Sequence, residues 1–110
     1  MPLSDKARIE VYVPDLPQET YQHLLDTLAQ EFTYTFGGST TMRGLDGRYL
    51  SRQGLQVQDR VHLIYTDTPF AFEEHVERLS RYADALRDAA FEALEEEAIL
   101  VVVLKIYHAE

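Results

Sequence analysis

Seven residues between positions 37 and 62 have the types and spacing to do chemistry: Gly37, Gly38, Arg43, Arg48, Tyr49, Arg52 and His62. All five glycines of the chain, Gly37, Gly38, Gly44, Gly47 and Gly54, lie in one stretch, FGGSTTMRGLDGRYLSRQG. Paired glycines leave backbone N–H groups open to an anion, and arginines complete such a site with charge-assisted hydrogen bonds. From Gly37 to Arg60 four arginines meet two aspartates, a local charge of +2 on a chain whose formal net charge is −9. The stretch is therefore a basic island on an acidic protein, a candidate site for an anionic ligand or an acidic protein surface. It lacks the Lys-Ser/Thr of a Walker loop and the G-x-G-x-x-G of a dinucleotide fold. The plainer reading is a twisted hairpin, with glycines at turns and bulges and arginines meeting the acids of a neighbouring subunit.

His62 sits on an apolar strand pattern, facing away from Leu63 and so towards a candidate interface cavity. A general acid or base could act there, and Arg48 and Tyr49 would be its partners in a small cofactor-free enzyme. A hydrogen-bonded interface histidine is the plainer account. Glu19, His23 and Asp26 share a helix face at spacings that could ligate a divalent metal, yet three polar residues on a solvated face are commonplace, and no metal or cofactor is expected. Ser39 and Ser51 lack a nucleophile elbow. Tyr34, Tyr49, Tyr65 and Tyr107 could line a pocket, though such residues more often sit in a core with one wet end. With no cysteine, thiol nucleophiles, disulfides and thiolate metal sites are excluded.

The elements that must position these groups follow from periodicity. ARIEVYV (7–13) alternates as a half-buried strand. Asp15-Leu-Pro-Gln18 reads as a helix start with Asp15 as N-cap, and Tyr21, Leu24, Leu25, Leu28 and Phe32 give an amphipathic helix to about residue 31. Residues 33–44 favour a strand bent at Gly37-Gly38. Asp46-Gly47 is a hairpin turn signal, 48–51 a return strand, and 59–67 another strand. Thr68-Pro69 predicts the start of a second helix running to about residue 96, with exposed pairs Glu74–Arg78 and Glu77–Arg81. Its end is crowded by Glu92, Glu95, Glu96 and Glu97, against the helix dipole. AILVVVLKIYH (98–108) is the last strand. The order β-α-β-β-α-β predicts an α+β, ferredoxin-like single domain over 1–110: a four-stranded antiparallel sheet with both helices on one face.

The last strand bears on partners. Ile99, Val101 and Val103 point one way, and Leu100, Val102, Leu104 and Ile106 the other, so both faces want to be dry. A sheet with one open face should alternate there, so the open face is expected to pack on another subunit as a homo-oligomer, a packing that often encloses a small-molecule pocket. Net acidity argues against nucleic acid. The absence of a long apolar run or a signal peptide argues against a membrane and for a cytoplasmic protein.

The strings EVYVPDLPQETYQ, TFGGSTTMRGLDGRYLS and DRVHLIYTD resemble an uncharacterised group of small bacterial proteins, many of them cyanobacterial. That resemblance implies a small cytoplasmic ferredoxin-like protein and carries over no catalytic residue. The element order is also similar to that of trimeric nucleotide sensors of the nitrogen-regulatory PII type, and of dimeric α/β-barrel oxygenases and isomerases. Two function classes result: a self-associating regulatory, ligand-sensing or interaction module, which the sequence favours, and the small cofactor-free enzyme as the alternative.

Overall fold

A computed structural model describes residues 4–94 and 99–108. The elements run β1 (Ser4–Pro14), α1 (Glu19–Phe36), β2 (Thr40–Leu50), β3 (Gln56–Asp67), α2 (Val76–Leu94) and β4 (Leu100–His108). The strands form one antiparallel sheet in the order β2-β3-β1-β4, and both helices cover the same face, as the β-α-β-β-α-β pattern predicts. Ala7, Ile9, Val11 and Val13 alternate along β1 and are fully buried beneath Leu25, Leu28 and Phe32 of α1 and Leu79 and Ala90 of α2. Burying each of the larger side chains contributes roughly 1.5–3 kcal/mol. Ile99, Val101 and Val103 join this core, so Leu100, Val102, Leu104 and Ile106 face away from the helices, along with Arg8, Glu10 and Tyr12 of β1.

The sequence placed four boundaries differently. The N-cap of α1 is Gln18 and makes no side-chain cap bond; Asp15 is held instead by its backbone N–H to the Arg60 carbonyl, at 2.9 Å. Residues 33–36 continue α1 rather than starting a strand. Their β propensity is overridden by packing: Phe36 lies 6.3 Å from Phe32 one turn earlier and meets Phe70 and Tyr82 edge-on. Gly37 then ends the helix at φ 95°, its N–H bonded to the Thr33 carbonyl. The bend expected at Gly37-Gly38 falls instead between Met42 and Leu45, where β2 carries a bulge.

Asp46-Gly47 is not a turn. Both residues pair inside the ribbon, opposite Arg60 and Asp59, and the chain reverses at 51–55, where Ser51 and Leu55 close the loop at 2.8 Å. Thr68 does not cap α2, which begins eight residues later. Its hydroxyl and its N–H both donate to the Ala7 carbonyl at 2.9 Å, so the chain stays tied to β1. Glu74 consequently precedes the helix, and Arg78 lies over the Phe70 ring instead of meeting Glu74. Glu95, Glu96 and Glu97 lie outside the described residues. Among the described residues no helix is long and apolar enough to cross a membrane.

Candidate functional site

The β2 bulge gathers polar groups where β1 ends. Asp15 leaves β1 just after Pro14, and its carboxylate lies 3.1 Å from His62 Nε2. On the other side of the ring, the Gly44 N–H donates to His62 Nδ1 at 3.0 Å. These two contacts assign the ring proton to Nε2 and occupy both nitrogens. His62 is buried, and its β1 neighbour in register is Val13, so it lies on the helix-covered side of the sheet and not over an interface cavity. This corrects the expectation from its alternation with Leu63: the residue does face away from Leu63, but that direction is inward. Neither ring nitrogen is available as a general base in this arrangement.

Around this relay the charges are looser. Arg60 Nε lies 3.7 Å from Asp15 and 3.9 Å from Asp46, long for an ion pair and 62% exposed on the arginine side. Arg43 donates to the Gln22 amide oxygen of α1 at 3.4 Å. Gly44 has φ +68°, and a Cβ there would lie 2.5 Å from an Arg60 guanidinium nitrogen. The bulge thus needs a glycine for its backbone, while the exposed tip of Arg60 can swing aside from an added Cβ.

The seven residues singled out from the sequence fall in three places. Arg43 and His62 both lie at the bulge, Arg43 turned to Gln22 and His62 to Gly44 and Asp15. Gly37 and Gly38 lie at the α1–β2 junction, where the Gly38 carbonyl accepts the Thr66 hydroxyl at 2.7 Å. Arg48 and Tyr49 pair by backbone with Gln58 and Val57 near the far end of the ribbon, and Arg52 sits in the turn beyond them. At about 3.4 Å per residue, β2 from Thr40 to Arg48 runs roughly 25 Å along the strand, so glycine pair and tip arginines do not share one site. The side chains of Arg48 and Arg52 make no hydrogen bond or ion pair with any described residue.

Sequence reasoning missed Asp15, Gly44 and Arg60. An isolated glycine in a strand pattern is a bulge signal, and it would have found Gly44. Both serines are structural: the Ser39 hydroxyl reaches the Ala29 carbonyl and Thr33, and the Ser51 hydroxyl accepts the Leu55 N–H. Glu19, His23 and Asp26 do not converge, and no group of three or more ligating side chains among the described residues could hold a metal ion.

On the open face the charged side chains are satisfied by one another. Arg8 makes a two-pronged pair with Asp67 at 2.6 and 3.1 Å, lies over the Tyr65 ring at 4.3 Å, and is held above its ordinary pKa chiefly by that hydrogen bond. Tyr12 donates to Glu10 at 3.1 Å.

No family model and no curated protein matches the sequence. Solved structures do. The divalent cation tolerance protein (Cut A1) from Thermus thermophilus superposes with a TM-score of 0.59 at 17% identity, covering 97% of this chain and 88% of that one. CutA from Xylella fastidiosa gives 0.57 at 16% identity, covering 94% and 85%. A phage SAM lyase in its apo state gives 0.59 at 14% identity, covering 96% and 86%. At these identities the likeness establishes a shared ferredoxin-like fold.

Proposed function

We propose that the protein is a small self-associating, ligand-sensing module. Its copies cover one another's open sheet face, and the tip arginines of the β2–β3 ribbon engage an anionic ligand or an acidic protein surface. The same frame serves a cation tolerance protein and a lyase, so fold alone does not choose a role, and the reading rests on the surface. The observation that carries it is the open side of β4. Leu100, Val102, Leu104 and Ile106 have no layer of described residues above them, and Leu100 is 57% exposed. Beside them, Arg8 and Asp67, and Tyr12 and Glu10, already satisfy one another, which lowers the desolvation cost of covering this face.

Light scattering tests the self-association. The wild type should run as a multimer of the 12.7 kDa chain, and a Leu100→Lys, Leu104→Lys variant as a folded monomer. A wild type that is monomeric at every concentration overturns the reading.

A further inference from the structure

The two helices are tied to each other at Tyr82. At one end of their shared surface the Tyr82 hydroxyl donates to Glu31 at 2.9 Å and the Tyr82 ring meets Phe36 edge-on. From there towards Glu19 on α1 and Ala93 on α2 they leave a groove of about 1020 Å³. Its floor is apolar and already buried, made by Leu24, Leu28 and Ala90. Its α2 wall is Ala85, Ala89 and Ala93, one alanine per turn, all exposed. Solvated helix faces ordinarily carry long charged side chains, whose stems cover apolar surface. The neighbouring face of α2 does carry them, in Asp84, Arg87 and Asp88, but the groove wall does not.

The opposite wall is acidic. Glu19, Asp26 and Glu31 line it, and no Lys or Arg does. Glu31 is held in place: its Oε1 accepts the hydroxyls of Tyr82 and Thr35 at 2.9 and 3.1 Å. Burial and this hydrogen bond raise the Tyr82 pKa well above its ordinary value, which keeps the hydroxyl protonated as a donor. A carboxylate fixed in advance loses less conformational entropy when it binds a cation.

We propose that this groove is the docking site for a basic amphipathic helix of a partner protein. The occupant follows from shape and charge together. The lined walls run from Glu19 to Glu31 on α1 and from Tyr82 to Ala93 on α2, about 17 Å or three turns, too long for a compact ligand. Alanines along one wall let a third helix approach within the roughly 8–10 Å typical of packed helices. Its apolar side would rest on the exposed alanines and half-buried Leu86 of α2, above the floor of Leu24, Leu28 and Ala90, and its Lys or Arg residues, about one and a half turns apart, would meet Asp26 and Glu31. The net charge of −9 would speed encounter with such a segment. The groove lies on the opposite side of the molecule from the open sheet face, so this site and self-association stand or fall separately.

The test is fluorescence anisotropy with a labelled Leu/Lys amphipathic helix of roughly 18 residues, about 27 Å long. Controls are a Leu/Glu helix, a scrambled Leu/Lys peptide without helical period, and spermidine as competitor. Binding of the periodic Leu/Lys helix alone is expected. It should weaken about tenfold or more in Ala89→Arg, which fills the groove and adds a positive charge to it from an exposed position. It should weaken less in Glu31→Gln, and Arg87→Ala on the adjoining face should leave it unchanged. Circular dichroism confirms that each variant is folded. Absence of binding overturns the proposal. So does equal binding of the scrambled peptide, undiminished binding in Ala89→Arg, or full displacement by spermidine, each of which would mean attraction to net charge rather than a groove.

Discussion

At the base of the β2–β3 ribbon a glycine, two arginines and a histidine are tied to two aspartates and a glutamine. At its tip Gly54 bonds only within the turn, to the Ser51 carbonyl, the side chains of Arg48 and Arg52 have no described partner, and Leu50 and Leu55 are 71% and 66% exposed. The two ends draw on the same residue types for opposite purposes. Where the polar groups are mutually satisfied and buried, they fix backbone shape. Where they face water unpaired, they cost the fold little and stay available to a ligand. Composition alone, rich in glycine and arginine at both ends, does not distinguish them; what differs is whether another strand or helix lies within reach.

The largest expected effect falls at the base. His62→Ala strands the Gly44 N–H and removes the donor facing Asp15, besides leaving a void under the sheet. It should cost about 2–4 kcal/mol in urea unfolding. His62→Gln, able to donate and accept at similar reach, should recover part of this. A loss under about 1 kcal/mol for His62→Ala would show that the relay does not hold the bulge, and the contrast between base and tip would fail.

Backbone strain gives the next effect. Gly44→Ala meets a φ of +68° that strains any L side chain, while the exposed Arg60 tip only has to move aside, and it should cost about 1–3 kcal/mol. Gly38→Ala has open space around the new Cβ and no positive φ, so thermal unfolding should place it within about 0.5 kcal/mol of wild type. Equal losses at the two glycines would mean that the bulge does not need glycine for its backbone.

Much of the fold was legible because it rests on apolar period. The inward set Ala7, Ile9, Val11 and Val13, the stripe from Tyr21 to Phe32 and the two-sided pattern of β4 each appear in the structure where the sequence puts them. What misled was local chemistry with two uses. Asp15 can cap a helix, but its carboxylate does more against a buried imidazole. Asp46-Gly47 can turn a hairpin, but here β2 pairs on past it through Arg48, Tyr49 and Leu50. Thr68-Pro69 can start a helix, but the Thr68 hydroxyl is taken by Ala7. In each case a long-range partner, invisible in a local window, outcompeted the local bond. The site was less legible for the same reason, since Asp15 and His62 are 47 residues apart in sequence and become neighbours only through the β1–β3 pairing.

Arg60 lies between the two regimes. Its contacts with Asp15 and Asp46 are long and its side chain is 62% exposed, so Arg60→Ala should change stability by about 0.5 kcal/mol or less in urea unfolding. A larger loss would move Arg60 from the periphery of the relay into it.

At the tip, the Arg48→Glu, Arg52→Glu double variant should leave stability within about 0.5 kcal/mol of wild type, because neither side chain has a described partner to lose. Its effect should appear only with ligand. In a thermal-shift series with nucleotides, phosphorylated metabolites and acidic peptides, a ligand present at a hundred times its Kd adds about 2.7 kcal/mol, and reversing two charges should abolish that increment. Added salt should weaken the wild-type shift in parallel, since exposed arginines are screened within about 8–10 Å at physiological ionic strength. A ligand whose shift survives the double variant binds elsewhere, and the tip would then be a solvated hairpin end. A variant that unfolds without any ligand present would be equally decisive, because it would show that the tip arginines support the fold as the base does.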